Sequence, residues 1–296
     1  MDRQNVTVYL ASRPTHAIVP GETFKTQTEP APTVNDLKDG EVLVETLYLS
    51  LDQYMRGMLN ATKSYIAPVA IGQKKIAIIP ETAIDVIELP EGAKVTDILM
   101  LAFTIVVSAA AGAVGSMVGQ IAKIQGGRVV GITSSEEKCT WLVDQLGFDA
   151  AVSHNSPSFI EDLSAATPDE IDVYWDNVGG RILEAALLRA AKFSRFVLCG
   201  GIGEYNTPHE ERVGTKHIIE VAKQRIRMEG FVVLDHLRDL PQARAQLIKW
   251  IAEGKLSTHE TIVKGGIRQA EAAFAKCFTS DKLGKLILEV KPFDKA

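Results

Sequence analysis

The sequence predicts an α/β protein with a doubly wound parallel sheet and a smaller β-rich domain. Two observations support this class. From Thr104 onward, short apolar runs rich in β-branched residues alternate with segments of helical periodicity, which is typical of parallel strands joined by crossover helices. Before Thr104, alternating polar and apolar residues are interrupted by prolines, which indicates short strands joined by turns.

The composition sets the broad class of the protein. The 296 residues are 46% hydrophobic and 23% charged, which is enough for one large or two ordinary domains. The formal net charge is −5 with acids and bases interspersed, so the chain lacks the basic field that nucleic acids attract. No apolar run approaches the roughly 20 residues of a membrane span, and the first residues do not resemble a secretory signal. We therefore expect a cytoplasmic protein with neither nucleic-acid nor membrane partners.

The first 103 residues are predicted to be mainly β-structure. The segment 41–50 alternates as a half-buried strand does, and the segment 74–79 forms a second apolar run. The segment 52–58 between them is predicted as a short helix or turn.

The second part of the chain is predicted to be a series of strands and helices in alternation. Strands are expected over 105–107, 128–133, 150–152, 171–175, 196–199 and 228–233. Helices are expected over 157–166, 180–192, 240–255 and 267–278, and a final strand over 286–290 ends the pattern.

A turn of small residues after the first strand of this series predicts a dinucleotide-binding site. Ala110, Gly112 and Gly115 occupy the three small positions of the fingerprint, with Ala113 and Val114 between the glycines and Ala110 in place of the first glycine. A pyrophosphate needs this strand, turn and helix, because the turn lets the backbone approach while the first helical amides point at the phosphates. The alternative is an ordinary glycine-bearing turn that binds nothing.

The end of the second strand favours NADP over NAD. An Asp or Glu there usually binds the ribose 2′-hydroxyl and would repel a 2′-phosphate, but this strand ends in Thr133 and Ser134. Lys138 follows one helical turn later and offers a cation to a phosphate. The alternative is that Ser134 and Glu137 form a capping box and that Lys138 is merely a solvated helix residue. The two interpretations are compatible, because a capping serine does not occupy the lysine.

Four motifs in order, A-A-G-A-V-G-S, G-I-T-S-S-E-E-K, D-V-Y-W-D-N-V-G-G and C-G-G-I-G-E-Y-N, resemble the zinc-independent medium-chain dehydrogenase/reductases. Among these, they are most similar to the branch of leukotriene B4 12-hydroxydehydrogenase, prostaglandin reductase, alkenal/one double-bond reductase and curcumin reductase. The resemblance covers nearly the whole chain. It implies a Rossmann domain over 104–263 and a GroES-like substrate domain made of 1–103 and 264–296.

The resemblance also implies an activity and a set of partners. The activity is NADPH-dependent reduction of the carbon–carbon double bond of a small α,β-unsaturated ketone or aldehyde, in detoxification or a secondary-metabolite pathway. The protein is expected to be a homodimer. Two alternatives stay open: an NADP-binding paralogue that is catalytically impaired, and an NADPH:quinone reductase of the same superfamily.

The same resemblance implies roles for individual residues. The small residues of the turn would face the pyrophosphate and Lys138 the 2′-phosphate. Asn177 and the backbone of Phe231 and Val233 would lie near the nicotinamide. Tyr205 would be catalytic, because a phenol near the substrate oxygen stabilises the enolate charge that develops in the transition state. The alternatives are a surface-loop tyrosine and, for Asn177, an ordinary turn former.

The chain departs from the family pattern at several places. His154 stands where a tyrosine that helps hold the adenosine phosphate is usual, although an imidazole can also donate to phosphate. A glycine-rich hairpin is absent after Gln73, and a helix is absent between Phe103 and Thr104, so the GroES-like domain is expected to be incomplete. The sequence leaves open a trimmed paralogue, a splicing or gene-model product, or a degenerate enzyme.

No metal site is expected. A catalytic zinc in alcohol dehydrogenases takes cysteine and histidine ligands early in the chain, whereas residues 1–138 contain no cysteine and only His16. The three cysteines have no short pair spacing, which argues against a zinc knot or a disulfide framework.

Overall fold

The computed structural model describes residues 4–36, 46, 48–53, 55–61, 67–72, 103–279 and 281–291. The chain divides into two compact units, one of Met1–Glu88 with Glu260–Ala296 and one of Leu89–His259. The domain boundaries expected from the sequence, at 103 and 263, stay a prediction. Both missing family segments border the stretch 73–102. This stretch, which includes the strand expected over 74–79, lies outside the described residues.

The described strands are β1 (Gln4–Leu10), β2 (Phe24–Pro30), β3 (Tyr48–Ser50), β4 (Thr104–Ser108), β5 (Arg128–Thr133), β6 (Ala150–Ser153), β7 (Ile171–Asp176), β8 (Ala190–Leu198), β9 (Arg227–Gly230), β10 (Glu260–Val263) and β11 (Lys285–Glu289). The described helices are α1 (Met55–Met58), α2 (Ala113–Ile124), α3 (Glu136–Leu146), α4 (Phe159–Ala166), α5 (Gly180–Leu188), α6 (Ile219–Gln224), α7 (Leu240–Ala252) and α8 (Ala270–Lys276). Within the described ranges, no helix combines the length and the apolar character needed to cross a membrane.

The larger unit contains a parallel six-stranded sheet with the order β6-β5-β4-β7-β8-β9. The predicted doubly wound α/β fold, with a smaller strand-rich unit beside it, is therefore confirmed. The strand order reverses between β4 and β7. Open α/β sheets bind ligands in the crevice beyond the carboxyl ends of the strands at such a reversal, so residues that follow β4 and β7 are placed to form a site.

The core beneath this crevice is well packed, because β4 is buried along its whole length and the neighbouring strands bury apolar side chains against it. Val106, Val130, Ile132 and Phe196 are completely inaccessible to solvent. The Phe196 ring lies 5.1 Å from the Tyr174 ring in a tilted arrangement. Full burial of each such side chain stabilises the fold by about 1.5–3 kcal/mol, so the strand ends are held on a firm platform.

The smaller unit joins both ends of the chain. Strands β1 and β2 form an antiparallel pair, while β11 pairs parallel to β10 and antiparallel to β3, with Leu49 opposite Leu288. The carboxylate of Glu271 accepts hydrogen bonds from the backbone N–H groups of Gly21, at 2.8 Å, and Phe24, at 3.1 Å. The strand expected over 41–50 is described only as β3, since 41–45 lie outside the described residues.

One predicted helix is shorter in the structure. The helix expected over 180–192 ends at Leu188, and β8 begins at Ala190, earlier than the strand expected at 196. Ala190 pairs with Ile171 of β7, so sheet pairing overrides the helical pattern there.

Two other elements change type partway. The strand expected over 228–233 ends at Gly230, and Val233–Asp239 forms 3₁₀ turns. The helix expected over 267–278 begins with a 3₁₀ turn at Ile267–Gln269 before α8. Apolar runs of this length do not distinguish a strand from a turn that exposes its apolar side chains.

Gly119, in the middle of α2, tests the close packing of this helix. A Cβ atom at this position would lie 1.9 Å from the Phe148 ring, so Gly119→Ala forces the ring to move. We expect a loss of about 1–3 kcal/mol in the free energy of unfolding, measured by urea denaturation of the full chain. Gly214→Ala is the control, because its Cβ meets nothing within 4 Å. Equal stability of the two variants would contradict this packing.

Candidate functional site

The turn between β4 and α2 brings backbone close to the crevice. Ala109 has a left-handed φ of 47°, and the Gly112 N–H donates to the Ala109 carbonyl at 2.9 Å. The Ala110 N–H donates to the carbonyl of Ile132 in β5 at 3.0 Å, and the Ala110 side chain is fully buried. The turn is therefore tight and is tied to the neighbouring strand.

The start of α2 lies directly on this turn. A Cβ at Gly115 would be 2.4 Å from the Ala109 carbonyl oxygen, and a Cβ at Gly112 would be 3.1 Å from the same atom. Only glycine fits at 115 without a shift of the backbone. Gly112 is the N-cap of α2, where it has no side chain to accept from the first amides of the helix. Ala113 and Val114 are the first helical residues, and the Val114 side chain is about half exposed.

This arrangement fits a pyrophosphate. Uncapped amides at a helix start carry partial positive charge, and the small residues let oxygen atoms approach them closely. The residues predicted for this part of the site are brought together in one turn.

The carboxyl ends of β5 and β6 form the second part of the site. The His154 N–H donates to the Thr133 carbonyl at 2.8 Å, and the Asn155 side-chain amide donates to the Ser134 carbonyl at 2.8 Å. Thr133, Ser134 and His154, predicted from separate motifs, are therefore neighbours. The alternative capping box of Ser134 and Glu137 does not form, because the N-cap of α3 is Ser135 and the residue three positions later is Lys138 rather than an acid.

Two basic residues, Lys138 and Arg181, lie near these strand ends. The Ser135 hydroxyl accepts from the Lys138 backbone N–H at 3.4 Å, which places Lys138 in the first turn of α3. Arg181 of α5 donates to the His154 carbonyl, and its guanidinium carbon lies 5.6 Å from the centre of the Phe159 ring. Burial lowers the pKa of His154 from its ordinary value of 6.5, and the charges of Arg181 and Lys138 lower it further. Sequence reasoning missed Arg181, because nothing in the motif after β7 marks it as a neighbour of β6.

Asn177 is fixed at the point where the strand order reverses. Its backbone N–H donates to the Ser108 hydroxyl at 2.8 Å, and its side-chain amide donates to the Ser108 carbonyl at 2.6 Å. Its side-chain carbonyl accepts from the Trp175 indole at 3.1 Å. Both ends of the Asn177 amide are thus engaged, so the residue aligns the ends of β4 and β7.

The Asp176 carboxylate is the buried anchor of this arrangement, and sequence reasoning missed it. One of its oxygens accepts from the hydroxyls of Ser108 and Tyr174 and from the N–H groups of Val178 and Gly179, each at 3.0 Å. Burial, followed by the Asp176 charge, raises the pKa of Tyr174, so this phenol stays a donor. A buried carboxylate needs such donors, because an unpaired buried charge is costly.

Tyr205 lies beside Asn177. Its hydroxyl accepts from the Gly201 N–H at 3.2 Å. A Cβ at Gly200 would lie 3.3 Å from this hydroxyl and 3.2 Å from the backbone carbonyl oxygen of Asn177, so both groups border the same small volume. The loop after β8 therefore brings these two predicted residues together.

Phe231 lies near the same end of the sheet. Its N–H donates to the Leu198 carbonyl at 3.0 Å, and its ring lies 5.3 Å from Trp175 and stacks on His236 at 5.2 Å. Val233 begins the following 3₁₀ turns with its side chain about half exposed. Their contact with a nicotinamide stays a prediction.

A search for metal ligands in the part of the chain that the structure describes finds no group of three or more His, Cys, Asp or Glu side chains suited to an ion.

Comparisons with known proteins decide the family. A family model described as zinc-binding dehydrogenase matches residues 113–253, and one described as the N-terminal domain of oxidoreductase matches 7–79. The NADPH-dependent curcumin reductase of Escherichia coli K12 is 30% identical over 335 aligned positions, with 95% of each chain covered. Prostaglandin reductase 1 of Bos taurus is 34% identical over 300 positions, which cover 86% of this chain and 90% of the relative.

The chain belongs to the zinc-independent medium-chain dehydrogenase/reductases. Within that family it is an NADP-dependent reductase of the alkenal/one reductase branch, as its motifs predicted. CurA of Vibrio vulnificus, solved in complex with NADPH, is 29% identical and superposes with a TM-score of 0.81, covering 97% of this reductase and 100% of CurA. The cofactor of the reductase is NADP(H), and the turn and strand ends described above fit it.

The reductase is shorter than its relatives. Its alignment with the curcumin reductase spans 335 positions, more than its own 296 residues, so the relative carries stretches that this chain lacks. This agrees with the missing segments expected from the motifs, although their positions are not tested.

The thiols of the reductase are predicted to be unreactive. Burial raises the pKa of Cys139 to about 11, and burial together with the Asp176 charge raises the pKa of Cys199. Burial also raises the pKa of Cys277. Because the thiolate is the nucleophile, iodoacetamide at about pH 7.5 should modify the native protein at least tenfold more slowly than the urea-unfolded chain, as followed by mass spectrometry. Equal rates would show that these thiols are accessible and ionised.

Proposed function

We propose that this reductase transfers hydride from NADPH to the β-carbon of small α,β-unsaturated ketones or aldehydes. The observation that carries the proposal is the Tyr205 hydroxyl, held next to Asn177 beyond the carboxyl end of the sheet. The relatives are named as reductases of curcumin and of prostaglandins, which supports a small organic substrate. The proposal includes either detoxification or a secondary-metabolite pathway as the setting.

We assign the cofactor contacts to three groups of residues. The pyrophosphate would lie against the turn of Ala110 and Gly112–Gly115, where the amides are uncapped. The adenosine 2′-phosphate would lie at the ends of β5 and β6, and the nicotinamide near the end of β7. The 2′-phosphate is assigned to Thr133, Ser134, Lys138 and His154. The nicotinamide is assigned to Asn177, Phe231 and Val233.

Tyr205 supplies the electrostatic part of the chemistry. Bound NADPH provides the hydride. Addition at the β-carbon moves negative charge onto the substrate carbonyl oxygen, and a hydrogen-bond donor aimed at that oxygen stabilises the charge as it develops. The contact with Gly201 uses the Tyr205 oxygen as an acceptor, so it orients the phenol without using its hydrogen. The hydroxyl is thereby ready to donate.

Tyr205→Phe tests this role. We expect kcat for enone reduction to fall about 100-fold, as when one oxyanion donor is removed, while the Kd for NADPH changes less than about twofold. The assay follows absorbance of the reduced nicotinamide with a panel of enals, enones and quinones. Tyr9→Phe, which removes a phenol hydroxyl from β1 of the smaller unit, is the matched control.

The panel also separates the alternatives. Turnover of quinones without turnover of any conjugated aldehyde or ketone would assign the quinone reductase. Saturable NADPH binding with no hydride transfer to any compound would assign a non-catalytic paralogue. Either result would overturn the proposed reaction.

The proposal extends to domains and location. We assign the Rossmann domain to 104–263 and an incomplete GroES-like substrate domain to 1–103 with 264–296. This is supported by the division into two units, of which the smaller combines both ends of the chain. A cytoplasmic location is supported by the three cysteines, which are all unpaired.

We also propose a homodimer formed through the β9 edge of the sheet. Among the described residues, β9 ends the strand order and most of its residues are exposed, so a second copy can pair with this edge. Exposed apolar side chains lie in the chain on both sides of β9, namely Ile218, Ile219, Val233, Leu234 and Leu237.

Leu234→Glu combined with Leu237→Glu tests this interface. A charge buried in an apolar contact is costly, so we expect the double variant to sediment as a monomer at concentrations where the wild type is a dimer. Val143→Glu on α3, also at a partly exposed apolar position, should leave the dimer intact. A wild-type monomer at every concentration would end the proposal.

A further inference from the structure

The Trp175 side chain contacts two residues that follow different strands of the large sheet. Its indole N–H donates to the side-chain carbonyl of Asn177, just after β7, at 3.1 Å. Its ring lies 5.3 Å from the ring of Phe231, just after β9, at an angle of 55°. Strand β8 lies between β7 and β9 in the sheet. One side chain thus contacts two of the residues that are assigned to the nicotinamide.

The hydrogen bonds around Asn177 permit one orientation of its side-chain amide. The Trp175 indole N–H can only donate, so it requires the carbonyl oxygen of the amide. The Ser108 backbone carbonyl can only accept, so it requires the NH₂ group, which donates to it at 2.6 Å. A rotation of the amide by 180° would bring two donors together on one side and two acceptors together on the other. Trp175 and Ser108 therefore fix this amide jointly.

The Trp175 ring is in turn fixed by Phe231. The Phe231 N–H donates to the Leu198 carbonyl at 3.0 Å, which ties its backbone to the end of β8. The Phe231 ring stacks on the His236 ring at 5.2 Å with an angle of 16° between the planes. Aromatic rings at such separations attract each other beyond the effect of burial alone. The indole N–H is therefore held in the direction of Asn177.

Packing of the main core does not account for Trp175. Successive side chains of a strand point to opposite faces of the sheet. Tyr174 and Asp176 are fully buried, and Tyr174 belongs to the large apolar core. Trp175 lies between them in β7 and is only partly buried, so it belongs to the other face. Its contacts are with the residues that border the crevice.

We infer that Trp175 is a positioning residue for the nicotinamide of NADP(H) and that it acts through Asn177. The inference rests on the proposed placement of the nicotinamide near the end of β7. Without the indole N–H, the Asn177 carbonyl oxygen loses this donor and its amide is free to rotate. The nicotinamide half of the cofactor should then bind less tightly. The adenosine half should be unaffected, because its proposed residues lie at the ends of β5 and β6.

Trp175→Phe separates the hydrogen bond from the ring contact, because phenylalanine keeps an aromatic ring but has no N–H. In calorimetric titrations of the full chain, we expect the Kd for NADP⁺ to rise about threefold to tenfold, as for one lost hydrogen bond. The Kd for 2′,5′-ADP, which lacks the nicotinamide, should change less than about twofold. Trp141→Phe on α3, whose ring contacts His259 at 5.5 Å, is the matched control and should change neither value.

A double-mutant cycle tests whether Trp175 acts through Asn177. In an Asn177→Ala background the acceptor is already missing, so Trp175→Phe should change the Kd for NADP⁺ less than about twofold there. A merely structural role would give the same loss in both backgrounds, and this result would overturn the inference. Binding of 2′,5′-ADP to each variant shows that the variant is folded.

Equal losses for NADP⁺ and 2′,5′-ADP in Trp175→Phe, or no loss for either, would also overturn the inference. These titrations contain no substrate, so they are independent of the proposed reaction. A selective loss for NADP⁺, together with a wild type that reduces no conjugated carbonyl, would defeat the reaction and support the inference. Enone turnover together with an unchanged Kd for NADP⁺ in Trp175→Phe would defeat the inference alone.

Discussion

The buried carboxylate of Asp176 is the interaction on which the proposed nicotinamide end of the site depends. Its four donors come from β4, from β7 and from the turn before α5, so one charge aligns three segments. Through Ser108 the same network fixes Asn177, which borders the volume beside Tyr205. A charge-assisted network of this kind resists distortion, because the loss of one partner leaves a buried polar group without a hydrogen bond to offset its desolvation. The chemistry proposed at Tyr205 would therefore take place beside this hydrogen-bonded network.

The proposed pyrophosphate end of the site depends on a steric constraint instead. Backbone of α2 meets backbone of the preceding turn at Gly115, at a distance that a Cβ cannot occupy. The absence of side chains has two effects here. At Gly115 it allows the helix to pack against the turn, and at Gly112 it leaves the first amides of the helix uncapped. The proposed cofactor site thus combines the Asp176 anchor at the end of β7 with a turn of small residues after β4.

Much of the larger unit was predictable because each of its signals is local. The β4 run, the small residues Ala110 and Gly112, and the alternation that follows report their own structure through sterics and periodicity. Where sheet pairing competed with a local pattern, as at Ala190, the boundary was wrong. The alternative that made Ser134 the N-cap was wrong because Ser134 and Ser135 offer the same chemistry, and only backbone geometry selects between them.

By itself, the sequence determined the fold class, the family and the residue types that suit an NADP(H) pyrophosphate, because those follow from the order of short motifs. Only the tertiary structure decided which distant groups meet. The Asp176 carboxylate accepts a hydrogen bond from Ser108, 68 residues away, and Arg181 donates one to the carbonyl of His154, 27 residues away. The sequence around one residue of each pair does not indicate the other residue. These residues come together because strands and helices that are distant in the sequence pack side by side. The spacing of residues along the chain does not indicate which of them will be in contact.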